Sequence, residues 1–277
     1  MRSIAWLSEK GGTGKTTFAV NTAAALARRG RRVLVIDADP QANASMVFLR
    51  GQDAGRPTLF HVLTNEAGAA DAIRGTATPG VDLLPADTQL ADANVLLASE
   101  MGRERRLRLA MREVDGSYDF VVIDTSPQRT LININVLNYA GEVYCPVDPG
   151  IFALAGLVKL QEAVAGVVKF LDNPTLRLAG LVVSRAQRDN LSRDTESRLR
   201  TAFGGLVMKT TVPASTKVGE AHARYASVLD YAPASAGAKA FDALTSEIIH
   251  GQANGTGIGV DGTPAVNGRA RRKRAAG

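Results

Sequence analysis

Residues 9–17 read EKGGTGKTT, and the rest of the 277-residue chain is best read outward from them. The second half of this stretch fits the phosphate-loop pattern G-x-x-x-x-G-K-[ST]. The position that should open the pattern, however, is Glu9 rather than glycine, and a second lysine, Lys10, precedes the glycine pair. An apolar run, Ser3–Leu7, enters the loop. The alanine-rich Thr16–Arg29 leaves it, with Gly30 placed as a C-cap, so the pattern lies between a strand and a helix. In that setting glycines let backbone N–H groups wrap a phosphate chain, and the helix N-terminus adds its positive end. Gly11, Gly12, Thr13, Gly14, Lys15, Thr16 and Thr17 are therefore candidates for binding a nucleotide. Lys15 is placed to reach the β- and γ-phosphates, and the Thr16 hydroxyl to ligate Mg²⁺.

Further runs rich in β-branched residues predict strands at Arg32–Ile36, Val81–Leu84, Phe120–Ile123, Val143–Val147, Leu178–Val183 and Leu206–Val212. Helices are predicted over Arg103–Val114, Thr130–Tyr139, Ala153–Phe170, Leu191–Ala202, Thr216–Tyr225 and Gly237–Ile249. Apolar strands alternating with helices imply an α/β fold: a doubly wound, mostly parallel sheet with helices on both faces. Ligands in such sheets bind beyond the carboxyl ends of the strands. Two acidic motifs fall there. Asp124 closes the run FVVI in the form of a Mg²⁺-holding acid. In VIDADPQ, Asp37 suits the outer metal shell and Asp39 suits orienting or polarising an attacking water.

Composition narrows the class. With 45% hydrophobic and 22% charged residues the chain suits one large soluble domain over 1–250. The single cysteine, Cys145, excludes an intrachain disulfide and points to a reducing, cytoplasmic setting. No run approaches the ~20 apolar residues of a membrane span. Net charge is +6, of which the 251–277 segment supplies +4 through Arg269, Arg271, Arg272, Lys273 and Arg274 against Asp261. That segment reads as a disordered glycine-rich linker with a basic tail, RARRKR, which is either a salt-sensitive phosphate contact or a solubilising terminus.

Taken together, EKGGTGKTT, VIDADPQ and FVVIDTSP resemble the ParA/MinD family of deviant Walker-A ATPases, and more closely its ParA branch. Residues 213–249 are similar to the C-terminal stretch of Soj-type ParA proteins, with Pro213, Glu220, Ala221, Tyr231, Pro233, Gly237 and Ala238 at the expected relative positions. The resemblance spans about residues 3–250. It implies a Mg²⁺-dependent ATPase using ATP, with Pro213 among the nucleotide contacts. It also gives Lys10 a role: reaching across a nucleotide-sandwich homodimer to the triphosphate held by the other subunit. A cation lent in this way offsets the charge that builds as the γ-phosphate leaves. Lys10, Lys15 and Asp39 then form the catalytic set.

By the same resemblance, the ATP-bound dimer binds DNA without sequence preference on the nucleoid. A ParB-like or cargo-adaptor protein stimulates hydrolysis, and the cargo is a plasmid, a chromosome origin or a protein assembly. Dimerisation joins two modest basic patches into one footprint. Arg185 and Arg188 in VVSRAQRDNLSRD, Lys217 in PASTKVGEA and Arg224 in HARYAS are the DNA-binding candidates. Three positions depart from the family pattern: Ala226 stands where lysine is frequent, Thr125-Ser126-Pro127 replaces a proline pair, and Ala232 replaces aspartate. Because the loop starts at residue 9, no operator-binding region is expected ahead of it.

Two other family members make different demands. A MinD-like membrane-cycling regulator of division needs an amphipathic C-terminal helix, yet after His250 bulky apolar residues such as Ile258 and Val260 are few and scattered among glycines before the basic cluster. No membrane partner is expected. A ligase-type enzyme that activates a small molecule with ATP has no need of a crossing lysine.

Overall fold

The computed structural model describes residues 1–148, 153–186 and 190–251. Arg188 and the tail from residue 252 onward lie outside the described residues. Among the described residues eight strands form one sheet: β1 (Arg2–Trp6), β2 (Val33–Ala38), β3 (Arg74–Gly75), β4 (Val81–Leu84), β5 (Phe120–Thr125), β6 (Glu142–Val147), β7 (Arg177–Ala186) and β8 (Val212–Pro213). Their spatial order is β3-β4-β2-β5-β1-β6-β7-β8. Every pairing is parallel except β3 with β4.

The two-residue period of the strands sorts their side chains between two cores. Ala5, Leu34, Ile36, Val121, Ile123 and Val143 face the helices Leu131–Tyr139 and Ala153–Phe170. Ile4, Trp6, Val33, Val35, Val122 and Tyr144 face the helices Lys15–Ala27 and Ala236–Gly251. Both faces are covered, which is why the strands read as continuous apolar runs. The alanines of the helix Lys15–Ala27 are small enough to lie close on the sheet, and Ala19, Ala23, Ala24 and Ala25 are buried there.

Three elements differ from the sequence prediction. The strand expected over Leu206–Val212 is reduced to Val212–Pro213, with a 3-10 turn at Gly204–Leu206. Here the Glu247 carboxylate takes the Lys209 and Thr210 amides, at 2.7 and 2.9 Å, and the Thr210 amide is one that a ladder with β7 would have used. The helix expected over Arg103–Val114 is α-helical only at Arg106–Ala110, between two 3-10 turns. Asn135 interrupts it by accepting the Leu107 N–H at 3.1 Å and donating to the Arg103 carbonyl at 2.7 Å. The helix expected to reach Tyr225 stops at Ala223. Short helices at Asn43–Phe48, Leu59–Leu63 and Ala69–Ala72, and the strand β3, carry too few residues to show a period. No described helix is long and apolar enough to cross a membrane.

Candidate nucleotide site and basic surface

The central strands β1, β2 and β5 end side by side. Register pairs Trp6 with Asp124 and Asp124 with Asp37, so the phosphate loop and both acidic motifs meet at one edge. Within the loop, Gly12 (φ 75°) and Gly14 (φ 92°) occupy the left-handed region that favours glycine. Gly11 is different. Its φ is ordinary, and a Cβ built on it would meet no protein atom within 4 Å, so nothing in a single chain demands glycine there. Thr13 is buried, and its hydroxyl donates to the Lys10 carbonyl at 3.4 Å. Thr16 and Thr17 follow in the first helical turn.

The two lysines are placed oppositely. Lys15 is 7% exposed. Burial lowers its pKa, while the nearby Asp124 and Asp39 carboxylates act to hold the charge on it. Lys10 is exposed and forms no ion pair among the described residues.

The carboxylates also divide by role. Asp37 is fully buried and saturated with donors: Oδ1 accepts from the Asp39 amide at 3.2 Å, and Oδ2 from the Ser45 amide at 2.7 Å and the Ser45 hydroxyl at 2.8 Å. Burial still pushes its pKa up to about 6. Asp124, also fully buried, accepts the Thr125 amide at 3.0 Å on Oδ1, but its Oδ2 has no hydrogen-bond partner among the described residues. Burial, and then the charge of Asp37, hold Asp124 well above the usual carboxylate range; Thr16 and Lys15 pull the other way. Asp39 is 9% exposed, and its Oδ1 accepts the Gln41 amide at 3.0 Å in an Asx turn.

An orphaned acid oxygen beside a threonine hydroxyl is a hard-oxygen donor set, which fits Mg²⁺. No group of three or more His, Cys, Asp or Glu that could hold a metal occurs among the described residues. That suits a cation bound through one or two protein ligands and completed by phosphate oxygens.

Asp124→Asn keeps the acceptor for Thr125 and replaces one of two adjacent buried carboxyls with a group that cannot ionise. At neutral pH the nucleotide-free variant is expected to gain on the order of 1–2 kcal/mol while losing Mg²⁺-dependent nucleotide binding, as measured by urea unfolding and nucleotide titration. The pH dependence has a definite sign. Asp37 holds its proton more tightly in the folded state than its ordinary value of 3.8, so the folded protein carries more protons and loses stability as pH rises from 3.8 through about 6. Asp124 is raised in the same direction and is absent from the variant, so the wild-type-minus-variant difference should widen as pH rises above 3.8.

Several contacts here have no signal in the sequence. Glu9 accepts from Arg129 Nε at 2.6 Å, tying the start of the phosphate loop to the segment after β5. Asn133 clamps that segment by donating to the Ser126 and Gln128 carbonyls at 2.9 and 2.6 Å. Ser45 and Asn133 are ordinary polar residues by type. Only their contacts mark them.

The basic candidates lie toward β7 and β8. Lys217, in the helix Thr216–Ala223, pairs with Glu220 at 2.7 Å. Arg224 ends that helix, with its guanidinium 5.5 Å from the centre of the Tyr231 ring; the Lys217 ammonium lies 6.0 Å from the same ring. Tyr231 in turn donates to Glu220 at 2.8 Å. Arg185 is exposed near the end of β7 at φ 53°, 3.9 Å from Asp148. Ala186 pairs with Pro213, which is half-buried on β8, and accepts the Ala214 amide at 3.1 Å. The structure thus brings Lys217 and Arg224 together and puts Arg185 beside the segment leading to them.

Comparison with known proteins identifies the family of the chain. The model of an AAA domain family matches residues 1–178. The chain is 37% identical to the chromosome partitioning protein ParA of Caulobacter vibrioides over 252 residues, covering 90% of this chain and 94% of that protein. It is 34% identical to the sporulation initiation inhibitor protein Soj of Bacillus subtilis over 246 residues, 88% and 97% of the two chains. Among solved structures, cobyrinic acid a,c-diamide synthase from Mycobacterium smegmatis, with bound ATP analogue and magnesium, superposes with a TM-score of 0.79 at 27% identity. That match covers 96% of this chain and 100% of the synthase. A deviant phosphate loop at the switch point of this sheet, together with likeness over nine-tenths of its length to ParA, places the chain in the ParA/MinD family of deviant Walker-A ATPases, among its ParA and Soj members.

Proposed function

We propose that this ATPase closes into a homodimer around ATP, binds DNA without sequence preference in that state, and is released when a partner protein stimulates hydrolysis. The observation that carries this reading is the contrast between the two lysines of one loop. Lys15 is buried against its own chain's acids, whereas Lys10 is exposed and pairs with no acid among the described residues, next to a glycine whose own surroundings there do not require it. A second protomer's triphosphate would satisfy both features. Lys10 would supply a cation to it, and Gly11 would let the backbone come close.

Within one protomer, Gly11 to Thr17 would cradle the phosphates, Lys15 would neutralise them, and Pro213 would lie at the nucleotide. Thr16 and Asp124 would hold Mg²⁺, with Asp37 behind them, and the ion would supply charge neutralisation across the phosphate oxygens. Asp39, nearer the surface than Asp37, is positioned to accept a hydrogen bond from the attacking water. Two copies of the Lys217, Arg224 and Arg185 surface would then face one DNA segment, with nucleoid association following from that contact. The stimulating partner would be a ParB-like or cargo-adaptor protein.

Sedimentation with Mg²⁺ and a non-hydrolysable ATP analogue tests the reading. A dimer with the analogue and monomers with ADP are expected. DNA co-migration should appear only with the analogue and weaken steeply with salt. Monomers at every concentration would overturn it. The likeness to a diamide synthase favours a second reading, a ligase that activates a small molecule with ATP. In that case ATP binding and turnover would survive Lys10→Ala.

A further inference from the structure

Six described non-glycine residues hold a positive φ, and three of them, Ala42, Arg50 and Tyr225, lie along one path. Such backbone states persist only where the surroundings impose them, and they gather at switch regions. The path begins at Asp37, whose Oδ2 is gripped by both the amide and the hydroxyl of Ser45. Ser45 lies in the helix Asn43–Phe48, which Ala42 enters at φ 53°. Beyond the helix, Arg50 (φ 55°) and Gly51 (φ 77°) turn the chain back, and the Gly51 amide donates to the Met46 carbonyl at 2.8 Å. A Cβ on Gly51 would lie 2.7 Å from Tyr225 Cε2 and 3.0 Å from Cδ2, so the ring rests on the bare backbone. Tyr225, itself at φ 52°, directly follows Arg224 at the end of the basic helix Thr216–Ala223.

That helix is tied to the nucleotide site by a second route. Asn21, 3% exposed, donates to the Thr17 carbonyl at 2.8 Å and accepts the Val228 amide at 2.8 Å. It thereby joins the phosphate-loop helix to the turn of helix carrying Tyr231, the ring at which Lys217 and Arg224 meet. One tether is rooted in the phosphate loop, the other in the acidic segment at the end of β2. A relative shift of these two parts when nucleotide binds would reach the basic helix between them through both tethers.

We infer that the Tyr225 ring seated on Gly51 is a positioning contact, through which the Asp37–Asp39 segment sets the placement of the basic helix Thr216–Ala223 according to nucleotide state. Its consequence for DNA rests on the reading proposed above; the mechanical link does not. The contact uses the ring face, so Tyr225→Phe should preserve it and Tyr225→Ala should remove it.

Hydrogen exchange on the full chain, with and without Mg²⁺ and a non-hydrolysable ATP analogue, tests the link. In wild type and Tyr225→Phe, the analogue should slow exchange about tenfold at residues 9–17 and change it by a similar factor at 216–226. In Tyr225→Ala, protection at 9–17 should remain while the response at 216–226 disappears. The gain in DNA affinity on adding the analogue should shrink in parallel. Gly51→Ala, which both pushes the ring off its seat and strains the φ 77° turn that carries it, should reproduce the loss. A wild-type-like response at 216–226 in Tyr225→Ala would overturn the link, as would no response there in wild type. Loss of protection at 9–17 as well would make Tyr225 a folding residue and likewise overturn it. If the exchange response behaves as expected but wild type never binds DNA, the link stands and the DNA reading falls.

Discussion

Lys10→Ala is expected to leave the protein monomeric with a non-hydrolysable ATP analogue and to lower hydrolysis by about 10³-fold, the lower end for a cation supplied in trans to phosphoryl transfer. The size of the effect follows from where the charge acts. A triphosphate with one Mg²⁺ keeps excess negative charge, and in a closed, water-poor site that charge is costly without a counter-cation. Lys10 has no ion pair to lose among the described residues, so its removal should leave folding stability within about 0.5 kcal/mol of wild type. Lys10→Arg should recover only part of the activity, because a planar fork does not replace a compact point charge. Analytical ultracentrifugation and phosphate release measure the two effects. A dimer of undiminished affinity in the alanine variant would remove Lys10 from the interface.

Asp39→Ala is expected to do the reverse: to keep the dimer but slow single-turnover hydrolysis by about 10²–10⁴-fold, the usual range for a lost general base or water-orienting group. Asp37 and Asp124 are fully buried, and Asp37 is saturated by protein donors, which leaves Asp39 as the acid of the group nearest solvent. Losing its Asx turn to Gln41 should cost about 1 kcal/mol of stability, too little to unfold the chain. With hydrolysis blocked, the nucleotide-bound state should persist, and so should any DNA complex that depends on it. Hydrolysis at the wild-type rate would show that another group handles the water. The two variants together separate holding the dimer from firing it, since a merely unstable protein would lose both.

The motif that opens a helix after a strand was legible because its residues are contiguous and chemically unusual. The strands bearing Asp37 and Asp124 were legible because burial on both faces writes itself as an apolar run. The strand expected at 206–212 failed because propensity cannot foresee that a glutamate at position 247 takes its amides. The helix expected at 103–114 failed for a similar reason, through Asn135. In both, a distant side chain competed successfully for backbone groups that a regular element would have used.

From its sequence alone, then, the chain determined its fold class, its phosphate loop and the acids at the strand ends. These depend on interactions between near neighbours and on the period of burial, both of which leave a mark in residue order. Tertiary structure alone decided that Ser45 saturates Asp37 while Asp124 keeps a bare oxygen, that Arg129 holds Glu9 across 120 residues, and that Tyr225 sits on Gly51. Such contacts are set by which strand lies beside which, and sheet order gathers residues whose separation along the chain carries no record of their meeting.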